Sequence, residues 1–245
     1  MTRESEVVRV LVEMADTLVE DYGIVEMLTG LADRSVSMLG ASAAGVMLAP
    51  PSGSLGLVAS SSEAMRLLEL FELQSREGPC LDAFRTGRPV GHEILEAGSG
   101  RWPTFSGAAV EAGFHSAVAI PLRLREVTLG ALNLLSESQV PLEEADVVVA
   151  HAFADLAALS IAQHRATAEV LRLNEQLASA LNSRIVIEQA KGVLSERAGV
   201  SLAEAFERMR AYARASNLRL TDVAQAALNG TLEPRAWAPR PPGGR

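Results

Sequence analysis

From Leu142 to Lys191 fifty consecutive positions pass without a proline or a glycine. As a single helix rising 1.5 Å per residue, such a run would extend about 75 Å. That is too long for a compact domain in a chain of 245 residues, so the helix must either leave the domain in which it starts or bend. The chain is therefore expected to divide. We place a first domain at residues 1–164, a second at 165–232 and a flexible tail at 233–245, where four Pro, two Gly and three Arg leave little apolar surface to bury.

Upstream of the run, Val7, Val10, Leu11, Met14 and Leu18 recur at helical spacing, and Ile24, Met27, Leu28, Leu31 and Leu39 do so again. Residues 43–49 and 55–60 read as hairpin-linked strands. Residues 65–73 and 80–85 are helix-like, the second ending at Gly87, and Val90 is assigned to a strand. A helix over 103–112 opens on Pro103 and stops at Gly113. Residues 116–122 and 127–135 are β-rich and spaced as an antiparallel hairpin. The fold class is α+β: an antiparallel sheet flanked by helices, a long connecting helix, and a terminal group of three helices.

Within the connecting helix Val170, Leu173, Leu177 and Ala180 alternate three and four apart, the seam of a short coiled coil, which predicts a parallel homodimer. The alternative is a helix packed on its own domain. Beyond it, Ser201 and Glu204 form a capping box for a helix with the apolar stripe Leu202, Ala205, Phe206, Met209 and Ala213, stopped near Asn217. Thr221 is the expected cap of a last helix carrying Val223, Ala224, Ala227 and Leu228, ended by Asn229-Gly230.

Composition narrows the functional classes. Apolar residues make up 48% and charged residues 21%, an ordinary globular balance. Aromatics at 4% argue against a base-stacking platform. The single cysteine, Cys80, excludes an internal disulfide and a Cys-rich zinc site and suits a reducing compartment. The polar N-terminus does not resemble a signal peptide, and the most apolar window, 147–162, is interrupted by His151 and Asp155. We expect a cytoplasmic protein without a membrane partner. Residues 40–45 have one residue too many for a nucleophile elbow, and residues 53–56 lack the Gly-Lys end of a phosphate loop, so an enzyme is not expected. The four histidines share no metal-ligand spacing, and Lys191 has no glycine loop beside it to hold a cofactor phosphate. No metal and no cofactor are expected.

Charge separates the two halves. Residues 1–164 hold 10 Arg against 22 Asp and Glu, a net of −12; residues 165–245 hold 12 Arg and Lys against 8 acids, a net of +4. Only the second half could approach polyphosphate without general repulsion. There Arg184, Glu188 and Lys191 fall at i, i+4 and i+7, so both cations share a helix face. Arg208, Arg210 and Arg214 follow on the polar sides of the next helix. Spacing alone leaves open whether these are solvated, salt-bridged faces or a phosphate-binding surface.

The residues Leu181, Ser183-Arg184, Ile187, Gln189-Ala190-Lys191-Gly192 and Leu194, followed by Glu204-Ala205-Phe206, Arg210, Ala213 and Val223-Ala224, resemble the ANTAR domain, with Met209 where a Leu is usual. Residues 1–164 resemble a GAF domain of the kind fused to ANTAR in actinobacteria, through residues 77–83 (Glu-Gly-Pro-Cys-Leu-Asp-Ala), Arg101-Trp102-Pro103, Ala119-Ile120-Pro121-Leu122 and residues 129–133. The resemblance implies a transcription antiterminator: a coiled-coil homodimer presenting three-helix modules to paired RNA stem-loops under control of a sensory domain. It implies RNA contacts at Arg184, Gln189, Ala190, Lys191, Gly192, Arg208, Arg210 and Arg214. Cys80, Ala119 and Leu129 would line a pocket for an unidentified small molecule. The Cys-His pair of bilin-binding members is absent, since Leu81 follows Cys80. The competing reading is a GAF-based sensor or adaptor whose C-terminal helices bind a protein partner or DNA.

Overall fold

The computed structural model describes residues 3–16, 23–50, 53–98 and 100–232. The expected tail at 233–245, and Leu18 of the first helix, lie outside these. The chain separates into two compact units, Met1–Thr167 and Ala168–Arg245.

In the first unit α1 (Arg3–Asp16) and α2 (Ile24–Leu39) precede β1 (Ala43–Leu48) and β2 (Gly56–Ser60). Next come α3 (Glu63–Ser75), α4 (Pro79–Thr86), β3 (Val90–Ile94), α5 (Pro103–Glu111), β4 (Ser116–Leu124) and β5 (Val127–Ser136). The strands form one sheet in the order β2-β1-β5-β4-β3, antiparallel at every junction. The α+β expectation and the late hairpin are borne out. The hairpin turns at Arg125, which adopts the left-handed conformation with φ 56°.

Helices cover both faces of the sheet, and strand alternation divides its side chains between two cores. Val118, Ile120 and Leu122 of β4 pack with Leu28 and Leu31 of α2 and Phe153 and Ala157 of the long helix. Ala117 and Ala119 face the other way, against Met65, Cys80 and Phe105. The β4–β5 register is broken once. Leu122 pairs with Gly130 but Arg123 pairs with Thr128, so Leu129 is an extra residue in β5. This β-bulge reverses the facing of the β5 residues nearer the turn, while Leu124 of β4 keeps to the side of Leu122.

The long helix α6 runs from Glu144 to Ala198 without interruption. Its length and composition would suffice to cross a membrane, yet Ala150, Phe153, Ala154, Ala157 and Ile161 are buried in the first core. The helix continues through Gly192 and stops at Gly199, which takes φ +62°. A glycine inside a helix costs only about 1 kcal/mol relative to alanine. Gly192 is therefore tolerated, whereas the left-handed turn at 199 is what glycine alone adopts without strain.

In the second unit α7 (Leu202–Ala215) and α8 (Leu220–Leu228) join the end of α6. Ala190, Leu194, Ala205, Met209, Ala213, Val223, Ala224 and Ala227 form its core. Ser201 caps α7 as expected, its Oγ accepting from the Glu204 N–H at 3.2 Å. The reciprocal half of the capping box does not form, because the Glu204 carboxylate is turned to Arg208 instead. Asn217, with φ 52°, ends that turn. The N-cap of α8 is Arg219 rather than Thr221.

Candidate nucleic-acid interface

The cations expected on the second unit divide into two settings. Lys191 is held: its Nζ lies 2.9 and 3.0 Å from the Glu188 carboxylate oxygens and 5.6 Å above the Phe206 ring centroid. Its side chain is only 19% exposed, so most of it is packed against its neighbours. Phe206 thus both supports the three-helix core and supplies a cation–π partner. Arg208 is held in the same manner by Glu204.

The second setting is open. Arg184 is exposed and pairs with no described residue. Arg210 and Arg214, one helical turn apart on α7, line an open cleft of about 540 Å³ together with Ala213, Asn217, Leu218, Arg219 and Leu220. Arg210 is only loosely engaged, 4.0 Å from a Glu207 carboxylate that is itself 69% exposed. Arg214 and Arg219 are exposed. Three guanidiniums therefore surround a cleft whose floor includes Leu218 and Ala213, with no carboxylate in the lining. Arg219 was not among the sequence candidates. Its signal lay in the left-handed Asn217, which turns the chain so that residue 219 faces back toward α7.

Of the remaining candidates, Gln189 and Gly192 are exposed, and a Cβ at Gly192 would meet nothing within 4 Å. Ala190 is different. It is 0% exposed in the helical core, so its small size serves helix packing and no RNA can touch it.

The first unit holds a different polar site. Glu69 and Glu72 of α3 are both fully buried, above the centre of the sheet where Gly45, Asn133 and Ala119 lie in register across β1, β5 and β4. Gly45 makes the room: a Cβ there would fall 2.2 Å from Glu69 Oε1. Glu72 accepts from the Leu81 N–H at 2.9 Å and from Asn133 Nδ2 at 3.4 Å. Neither Glu69 oxygen has a partner, nor has Asn133 Oδ1. Burial pushes the Glu72 carboxyl up to about 8, against the opposing pull of the Leu81 and Cys80 backbone N–H groups. Burial, then the neighbouring Glu72, raises Glu69 well above the usual carboxylate range. Cys80 is fully buried, and desolvation raises its thiol too. It is an inert packing thiol at neutral pH.

Cys80 and Ala119 thus share one core, but Leu129 does not join them. The bulge turns it to the opposite side of the sheet, into the core with Leu122 and Leu28. Strict alternation from Ala131 would have put it beside Ala119.

Comparison with known protein families matches residues 23–162 to the GAF domain and residues 175–227 to the ANTAR domain. The chain belongs to the GAF family and carries an ANTAR domain. No curated protein matches it. Among solved structures, the phycocyanobilin-bound GAF domain of a cyanobacterial phytochrome is 16% identical, with a TM-score of 0.52 over 66% of this chain and 95% of that one. The GAF domain of a Coxiella burnetii phosphoenolpyruvate-protein phosphotransferase is 17% identical, with a TM-score of 0.51 over 66% and 96%. The free methionine-R-sulfoxide reductase of Neisseria meningitidis, solved with its substrate, is 17% identical, with a TM-score of 0.51 over 68% and 95%. At these identities the likeness is one of fold.

The ANTAR match implies an RNA-binding antitermination regulator, and the GAF match a sensory domain. The ANTAR domain spans the end of α6, α7 and α8, and both cation settings lie within its matched residues.

Proposed function

We propose that the protein is a cytoplasmic, non-enzymatic regulator that binds paired hairpins of nascent RNA as a homodimer and favours them over an overlapping terminator. The carrying observation is the cleft of Arg210, Arg214 and Arg219, whose lining holds no carboxylate and where Arg210 is only loosely met by the exposed Glu207; exposed Arg184 adds a further cation. Affinity would come from these guanidiniums and from Lys191, whose exposed partner Glu188 a phosphate can displace at small cost. Gln189 and the open backbone at Gly192 are placed for polar contact with unpaired loop bases.

Dimerisation is supported by α6 itself. Val170, Leu173, Leu177, Leu181 and Ile185 are 56%, 44%, 68%, 61% and 44% exposed. A stripe of this kind along a helix is the seam a second copy would cover. Two ANTAR domains would then meet two hairpins. On the sensory side, Glu69, Glu72 and Asn133 present buried acceptors beside Cys80 and Ala119, where a small donor-bearing molecule would find partners.

Fluorescence anisotropy with a two-hairpin RNA tests the reading. Arg184→Ala, Lys191→Ala and Arg210→Ala/Arg214→Ala should each weaken binding by tenfold or more. Unchanged affinity in all three would refute it, and a preference for duplex DNA would favour a DNA-binding role instead.

A further inference from the structure

The GAF domain carries a second cationic site, far in sequence from the ANTAR arginines. Residues 1–164 are strongly acidic, with ten arginines against 22 acids, yet three of the ten line a single cleft. Arg85, Thr86, Gly87, Arg88, Arg123, Glu126 and Thr128 enclose about 350 Å³ between the C-terminal end of α4 and the β4–β5 hairpin. Every side chain in that lining is polar or absent.

Three local features bring these residues together. Gly87 ends α4 in the left-handed conformation, φ +62°, which swings Arg88 back beside Arg85. Arg123, alternating with Leu122 and Leu124, lies on the α4 side of the sheet, and the extra residue Leu129 brings its partner Thr128 to that side as well. The missing Cβ of Gly87 admits the Thr128 hydroxyl, which would lie 3.1 Å from such a carbon.

The guanidiniums are available. Arg88 is exposed, its guanidinium unpaired with any described residue, and Arg85 makes only a long bond of 3.5 Å to the Arg76 carbonyl. Arg123 pairs with Glu126 at 3.1 Å, but that carboxylate is 93% exposed and readily displaced by a stronger anion. With Glu126 counted, three arginines against one acid leave the lining a net charge of +2 on a domain whose overall charge repels polyanions. Guanidiniums recognise phosphate oxygens by paired hydrogen bonds. The volume stands at the lower end of small-molecule sites, and is too small for an RNA helix.

We propose that this cleft binds a small oligophosphate, with Arg85, Arg88 and Arg123 on its oxygens and Thr128 as an additional donor. The inference is independent of the RNA-binding reading. Isothermal titration of the full chain with inorganic pyrophosphate tests it, with orthophosphate as the weaker comparator. In an Arg210→Ala/Arg214→Ala background, which removes the arginine cleft of the ANTAR domain, saturable one-to-one binding is expected, weakened tenfold or more by Arg88→Ala and by Arg123→Ala. Arg9→Ala, which removes an equal charge from an exposed position of α1, should leave it unchanged. All three variants alter exposed side chains, and their circular dichroism should match that of the parent.

Absence of saturable binding would overturn the proposal, as would an equal loss in Arg9→Ala, which would signify general electrostatics. Should Arg88→Ala weaken hairpin-RNA binding while pyrophosphate affinity stays unchanged, the cleft would belong to an RNA path and the proposal would fall.

Discussion

Replacing Glu72 by Gln should make the GAF domain less sensitive to alkaline pH. Glu72 is fully buried, and its carboxyl titrates at about 8 in the fold against 4.5 for the ordinary group. Between those values the folded state holds a proton that the unfolded chain has released. Stability from this group is therefore greatest below about pH 4.5 and declines as pH rises through 8. At about 1.4 kcal/mol per pH unit, the decline amounts to ~3 kcal/mol at pH 7 and approaches ~5 kcal/mol above pH 8. Gln has no proton to lose. Its carbonyl can still accept from the Leu81 N–H, and its amide, which takes the place of the oxygen facing Asn133 Nδ2, can donate to Asn133 Oδ1 once the Asn133 amide turns over. Urea unfolding can be followed by Trp102, buried in the same core, in a Trp237→Phe background. Between pH 5 and pH 8 the parent should lose about 3 to 4 kcal/mol more than Glu72→Gln. The variant should keep a smaller slope of the same sign from Glu69. Equal losses in parent and variant, or a parent that grows more stable toward pH 8, would show that this carboxyl is not buried as described.

Other outcomes rest on packing and capping. Gly45→Ala forces a methyl within 2.2 Å of Glu69 Oε1 and should destabilise the first unit by about 1 to 3 kcal/mol in chemical denaturation. Ser201→Ala removes the acceptor for the Glu204 N–H and should cost the second unit about 1 kcal/mol. Leu177→Glu places a charge on the apolar seam of α6, where Leu177 is 68% exposed. Sedimentation equilibrium should show a shift from dimer to monomer with helicity retained.

Much of this architecture was legible because its signals are local. Helical periodicity located α1 and α2, turn residues separated the strands, and a run without breakers announced α6. Where the sequence misled, a long-range cause was at work. Gly192 resembles a helix stop, but packing of Ala190 and Leu194 against α7 and α8 outweighs one unfavourable propensity. Leu129 resembles a neighbour of Ala119, but a single extra residue in β5 reverses its side, and no local pattern reveals that. Glu69 and Glu72 sit among Met65 and Leu68 on the buried side of α3. Their charge argued for solvent, and only the gaps at Gly45, against Glu69, and at Gly78, against Glu72, explain how they are accommodated.

The functional surface shows the same division. The Gln189-Ala190-Lys191-Gly192 element is readable as a family mark, yet the four residues have different fates: Ala190 buried, Lys191 held between Glu188 and Phe206, Gln189 and Gly192 exposed. Arg219 gains its place through the turn after α7, so spacing along one helix could not find it. The two basic clefts, one on each unit, also differ in character. The ANTAR cleft includes apolar floor residues suited to a nucleobase, whereas the GAF cleft is polar throughout.

The salt dependence of RNA binding tests the central claim most directly. Each phosphate contact released should lower the slope of log K against log salt by roughly 0.7 to 0.9. The triple variant Arg210→Ala/Arg214→Ala/Arg219→Ala should therefore bind a two-hairpin RNA with a slope about 2 to 3 less steep than the parent. Parallel lines for parent and variant would contradict the account, because the cleft could not then be where the RNA backbone lies.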